Sequence, residues 1–238
     1  MTEKSLFDAA IADNLAHIRD VMQCACVQAG RSADSVRLLA VTKTVEPQRI
    51  NAAIRLGVGQ IGENRVQEFL GKQNELELEN TAVHLIGHLQ TNKVRQIIGQ
   101  VQMIESVDSA RLAQVISKRS EELGIVTPIL VEVNIGGEEA KSGVAPEMLE
   151  DLLWEIGAFS GIHVRGLMTV PPILDTEAEK RQIFSKMYRH FVDIRTKNID
   201  NIDMQELSMG MSGDYREAIL EGSTIVRVGS ALFGRRQY

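Results

Sequence analysis

The chain has little that would tie it to a metal, a membrane or a nucleic acid. Only two of its 238 residues are cysteine, Cys24 and Cys26. Such a pair in a helical-looking stretch, with no second cluster, makes a poor metal site, because side chains two apart on a helix diverge. They read as free thiols, buried or half-buried. No apolar run is long enough to cross a bilayer. The first ten residues mix Glu3, Lys4 and Asp8 with apolar neighbours and do not read as a signal peptide, so the cytoplasm is the expected compartment. An excess of basic charge is missing too. The formal net charge of −6 removes the usual electrostatic reason to expect nucleic-acid binding. No stretch rich in serine, glycine and proline interrupts the chain, and a single domain over residues 1–238 is expected.

What is present is an ordinary core-forming composition, 44% hydrophobic and 24% charged, arranged as a repeating alternation. Residues 4–29 read as a leading helix, with Leu6, Ala10, Asp13 or Asn14, and Ile18 marking its turns. Strands are expected at 37–42, 60–61, 83–86, 102–105, 128–134, 163–168, 204–207 and 224–228. Helices are expected at 47–56, 63–78, 92–98, 109–123, 146–158, 176–196 and 214–221. Several strands are nearly continuous apolar runs, the pattern of a sheet covered on both faces. Eight such βα units can close into a TIM-type (β/α)8 barrel, an α/β fold; an open doubly wound sheet is the rival. The last strand has almost no chain left for a following helix, a gap the extra amino-terminal helix could cover.

In such a barrel the reactive side chains sit at the carboxyl ends of the strands. Lys43 ends the first strand, where desolvation can favour the neutral amine that attacks an aldehyde; a lysine reaching out to solvent is the plainer alternative. The seventh and eighth strands end in Ser212-Gly213 and Gly229-Ser230, small hydrogen-bonding residues suited to phosphate, though also common in ordinary turns. A phosphate site opposite a strand-end lysine is the layout that pyridoxal 5′-phosphate (PLP) needs. Arg227 shares a face with Gly229; it points either into the barrel, where it must be paired or functional, or outward to a helix.

Other motifs carry less. Gly57, Gly59 and Gly62 match GxGxxG by letter, yet the first glycine ends a helix instead of following a strand, so the dinucleotide reading fails. His84 and His88 fall on a strand and its loop, not one helical face, and no metal is expected. Glu138, Glu139 and Lys141 read as a solvated charged loop.

Together the segments 40–44 (AVTKT), 62–68 (GENRVQE), 84–93 (HLIGHLQTNK), 141–143 (KSG), 166–168 (GLM), 207–212 (LSMGMS) and 226–234 (VRVGSALFG) resemble the pyridoxal phosphate homeostasis protein family. The likeness runs through essentially the whole chain in the same order. It implies the fold-type III PLP barrel of the alanine racemase amino-terminal domain. It also implies a PLP Schiff base on Lys43, phosphate contacts from Ser212, Gly229 and Ser230, and Arg227 beside the pyridine nitrogen. Asn64, His84, Met168 and Met209 match pocket positions, and Lys141 matches a lysine implicated in handling PLP beyond the Schiff base. The function implied is buffering and delivery of PLP to apo forms of PLP-dependent enzymes, affecting amino- and keto-acid balance, without established turnover. The alternative is a racemase-like enzyme, for which the chain lacks residues for a second domain and a suitably placed tyrosine; that same lack favours a monomer. Departures from the family are His88 in place of a common proline, Val45 in place of a second lysine, and the ending Arg236-Gln237-Tyr238.

Overall fold

The computed structural model describes residues 3–138 and 141–234. Helices and strands alternate: α1 (Glu3–Gln28), β1 (Arg37–Val41), α2 (Pro47–Arg55), β2 (Gln60–Glu63), α3 (Val66–Lys72), β3 (Ala82–Leu85), α4 (Val94–Ile97), β4 (Met103–Val107), α5 (Ala110–Glu122), β5 (Thr127–Glu132), α6 (Leu149–Ile156), β6 (Ile162–Met168), α7 (Glu177–Arg195), β7 (Ile202–Met211), α8 (Tyr215–Leu220), β8 (Ile225–Val228) and α9 (Ser230–Phe233). The strands pair in chain order, and β8 returns in parallel to β1. The expected (β/α)8 barrel therefore closes.

Local chemistry sets several helix starts. Pro47 occupies the first turn of α2, where its missing N–H costs nothing. Ser109 Oγ accepts from Leu112 N to cap α5. Thr176 and Glu179 satisfy each other's backbone groups in a capping box that opens α7.

The leading helix closes the outer layer as expected, packing against α2, α8 and α9 over the β8–β1 seam. Asn14 Nδ2 donates to Leu232 O at 3.0 Å. Its buried face includes Ile18, as expected, but otherwise follows a different stripe. Ile11, Leu15, Ile18, Met22 and Cys26 are buried, whereas Ala10 is exposed. These positions recur at three- and four-residue steps and are apolar throughout, so they outcompete a stripe interrupted by Asn14. Cys24 is exposed, not buried or half-buried; both cysteines are free.

Three other boundaries differ. Glu63 belongs to β2, in register with Leu85, so α3 is shorter than the helix expected over 63–78 and continues as a turn of 3-10 helix, Gln73–Glu75. β7 extends through Met211, because a register shift between Ser208 and Met211, with Gly210 at φ 93°, lets the strand bend and continue. A short helix, α9, does follow β8.

A large apolar cluster includes residues of both the strands and the surrounding helices. A much smaller one joins Met103, Leu130 and Met168 from β4, β5 and β6. Gly166 enables the tight β6–β7 pairing: its φ is 152°, and a Cβ there would lie 1.8 Å from Glu206 O. Gly166→Ala is expected to destabilise the fold by about 3 kcal/mol or more, read as a lowered urea midpoint. An unchanged midpoint would mean that the backbone relaxes freely at this bulge.

Candidate functional site

The carboxyl ends of the strands surround a cavity of about 650 Å³. Val41 and Lys43 enter it from the end of β1, Asn64 and Ile86 from the loops after β2 and β3, and Val170 from the loop after β6. Met211, Ser212 and Gly213 line it at the end of β7, and Arg227, Gly229 and Ser230 at the end of β8. Six residues singled out in the sequence, Lys43, Asn64, Ser212, Arg227, Gly229 and Ser230, are thus brought together from opposite ends of the chain. Lys43 is half-buried.

The last two loops are stitched by one hydroxyl. Ser212 Oγ accepts from Gly229 N and from Ala231 N, both at 3.2 Å. With those acceptor positions taken, its own hydrogen is what it has to offer an anion in the cavity. At Gly213 a Cβ would meet nothing within 4 Å, and at Gly229 one would press on Val41 at 3.2 Å. Asn64 Oδ1 is buried without a hydrogen-bond partner. A small ligand carrying a phosphate and ring hydroxyls fits this donor set, and the orphaned amide oxygen accounts for one further polar contact.

Arg227 points into the barrel, which settles the choice left open by strand alternation. It donates to Ser208 Oγ at 2.6 Å and to Thr169 O at 2.7 Å. Burial pulls its pKa below the ordinary arginine value, opposed by Glu105, Glu132 and Asp214. Ser208 passes the contact on, donating to Glu105 Oε2 at 2.6 Å, and Glu105 Oε1 accepts from His84 Nδ1 at 2.6 Å. Burial pushes the Glu105 carboxyl upward, yet the bond and charge of His84, the charge of Arg227 and the Ser208 hydroxyl together hold it below the usual range.

The remaining sequence-matched residues do not line the cavity. His84 is buried against Glu105. Met168 packs with Met103 and Leu130 inside the barrel. Met209 lies in the large apolar cluster, on the opposite face of β7 from Ser208. Lys141 lies in the loop after β5, paired with Glu138 and donating to Pro171 O at 3.2 Å. Glu139 and the Arg236-Gln237-Tyr238 ending lie outside the described residues. The sequence reading missed Glu105 and Glu132, although a carboxylate inside an otherwise apolar strand is itself a signal, because burying it demands a partner.

Residues 9–237 match the family model of the alanine racemase N-terminal domain. An alanine racemase from Clostridium difficile shares the fold at 16% identity and a TM-score of 0.71, covering 97% of this chain and 57% of the racemase. The barrel is therefore of the alanine racemase N-terminal class. A curated relative from Aquifex aeolicus, named pyridoxal phosphate homeostasis protein, is 43% identical over 95% of this chain and 98% of its own length. PipY of Synechococcus elongatus, solved with PLP bound, is 34% identical with a TM-score of 0.83, covering 94% of this chain and 100% of PipY. The chain belongs to the pyridoxal phosphate homeostasis protein family.

Glu132, at the end of β5 and nearly buried, has its pKa pushed up to about 7, first by burial and then by the charge of Asp108, against the pull of Arg227. Folded Glu132 thus holds its proton to higher pH than an unfolded glutamate at 4.5. The stability this confers is complete below the unfolded value and is lost as pH rises through the folded one. In ligand-free protein, the stability of the wild type relative to Glu132→Gln is expected to fall between about pH 5 and about pH 8, by up to about 3 kcal/mol. Urea unfolding at both pH values checks this, and a pH-independent difference would contradict it.

Proposed function

We propose that this protein binds PLP in the cavity, holds it reversibly through Lys43, and acts as a PLP carrier or buffer in homeostasis rather than as a turnover enzyme. The observation that carries the reading is a shared cavity: a primary amine at the end of β1 and the Ser212, Gly229 and Ser230 turns at the ends of β7 and β8. PipY, solved with PLP bound, and relatives named for PLP homeostasis support it. We read the whole chain, residues 1–238, as one barrel domain, with apo forms of PLP-dependent enzymes as the recipients.

Bound PLP supplies an aldehyde that condenses with a primary amine and a ring that can accept electrons. Lys43 provides the amine. Ser212 donates its hydroxyl to the phosphate, and the glycine-containing turns let backbone N–H groups approach it. Asn64 offers its unpartnered oxygen to a ring substituent. Arg227, held rigidly by Ser208 and Thr169, presents a fixed cation that disfavours protonation of a nearby ring nitrogen. Among the described residues no carboxylate lines the cavity to favour that proton instead. The donor set thus weakens the ring as an electron acceptor and leaves binding as its main use.

A racemase-like reading needs a second acid or base opposite the lysine. Among the described residues no tyrosine lines the cavity; Tyr188 is partly exposed on α7 and Tyr215 is buried at the start of α8.

Incubation with PLP followed by borohydride is expected to leave a reduced adduct that peptide mapping assigns to Lys43, and Lys43→Ala to abolish it. A reduced adduct of the unaltered protein that maps elsewhere than Lys43, or the same adduct persisting undiminished on Lys43→Ala, would overturn the assignment; minor secondary capture at Lys141 would not. Ser212→Ala is expected to weaken PLP binding about tenfold in an equilibrium titration.

A further inference from the structure

Behind Lys43 lies an ionic cluster, buried at Glu63 and Lys72 and half-buried at Glu68, to which PLP binding assigns no role. Lys72, at the last turn of α3, has a side chain only 10% exposed. It donates to Thr42 O at 2.9 Å and pairs with Glu63 at 2.8 Å and Glu68 at 3.1 Å. Glu63 is fully buried and accepts from the Thr42 hydroxyl, while its second oxygen, Oε2, has no hydrogen-bond partner. Burial pushes its pKa up; the Lys72 and Thr42 bonds pull it back. Glu68, besides pairing with Lys72, accepts from Thr44 N. Thr44 itself has φ 60°, a left-handed backbone that a β-branched residue adopts only under constraint.

Two features of this cluster stand out. The charges of Glu63 and Lys72 are costly to bury, and apolar side chains of similar size often serve stability as well. The cluster also grips the chain on both sides of one residue. The Thr42 carbonyl is held by the Lys72 ammonium, the Thr44 N–H by the Glu68 carboxylate, and Thr42 N by the ladder bond to Gly62 O at 3.0 Å. The residue between these contacts is Lys43.

We propose that Glu68 and Lys72 are positioning residues for Lys43: from α3 they clamp the peptide units flanking it, force the left-handed turn at Thr44, and so aim the lysine side chain into the cavity. The inference rests on the PLP reading and extends it. Loosening the clamp slows attack by the amine, which needs a narrow approach to the aldehyde carbon. It leaves the phosphate cradle, which belongs to β7 and β8, untouched. In the attack the lysine nitrogen bonds to the aldehyde carbon and water departs, so no further reactant is needed.

The test compares the intact wild-type protein with Glu68→Ala and Glu68→Gln. Glutamine keeps an oxygen for Thr44 N but loses the charge. Three quantities are read: the rate of PLP capture, the affinity for pyridoxine 5′-phosphate, which carries an alcohol in place of the aldehyde, and amide exchange at Thr44 without ligand. Glu68→Ala is expected to slow capture about tenfold to a hundredfold and to speed Thr44 exchange, with pyridoxine 5′-phosphate affinity held within about twofold. Glu68→Gln is expected to recover most of the capture rate. Wild-type capture by Glu68→Ala despite faster exchange at Thr44, or unchanged exchange, would overturn the clamp, as would a parallel loss of pyridoxine 5′-phosphate affinity. Failure of the unaltered protein to capture PLP at Lys43 would instead sink the PLP reading, and the clamp with it.

Discussion

The inside of this barrel is organised around one buried cation. TIM-type barrels usually fill their interior with layers of branched apolar side chains, but here Met103, Leu130 and Met168 share that space with Arg227, Ser208, Glu105 and His84. A guanidinium so deeply buried would be several kcal/mol too costly without compensation. Glu105 supplies it at one remove, through the Ser208 hydroxyl. Four strands, β3, β4, β7 and β8, are thereby tied across the interior by polar contacts with strict geometric demands. The cation at the cavity floor is fixed as a result, and its field acts on whatever the cavity holds.

On the proposed reading, that field favours holding PLP over transforming substrates on it. Carbanion chemistry on a pyridine ring is helped by a protonated ring nitrogen, and a carboxylate beside the ring is a common way to secure one. The carboxylates of this interior are spent elsewhere: Glu105 on His84 and Ser208, Glu132 in a near-buried position that favours its neutral form, and Asp214 on the Met211 N–H. Family relatives carry homeostasis names, not enzyme names, in keeping with this distribution of charge.

Much of this was legible in the order of the residues. The alternation of apolar strand and amphipathic helix predicts the barrel, and the strand ends then predict Lys43, Ser212, Gly229 and Ser230, because in this architecture position along a strand fixes height above the core. Arg227 was legible only as a choice of two faces. His84, Met168 and Met209 carried family resemblance but not position: none of them lines the cavity, because His84 and Met168 pack within the barrel and Met209 lies in the large apolar cluster. Glu105 and the Glu63–Glu68–Lys72 group were missed for another reason. Their partners lie on other elements, and no periodicity within a segment encodes a contact between α3 and the end of β1. The buried face of α1 was only partly read: Ile18 is buried as expected, but Ala10 is exposed and the Asn14 side chain serves a hydrogen bond to α9 rather than the core.

The seam covered by α1 has a consequence for how the protein is made. α1 docks on α8 and α9, which lie roughly two hundred residues further along the chain, and β1 completes its ladder only with β8. Lys43 and the Ser212, Gly229 and Ser230 turns that share its cavity are therefore separated by most of the polypeptide until that ladder forms. A growing chain has no vitamin-binding mouth, and contacts of such long sequence separation form late and slowly. Once they form, a ligand spanning the seam holds first and last strands together, so its occupancy adds directly to the stability of the closed ring.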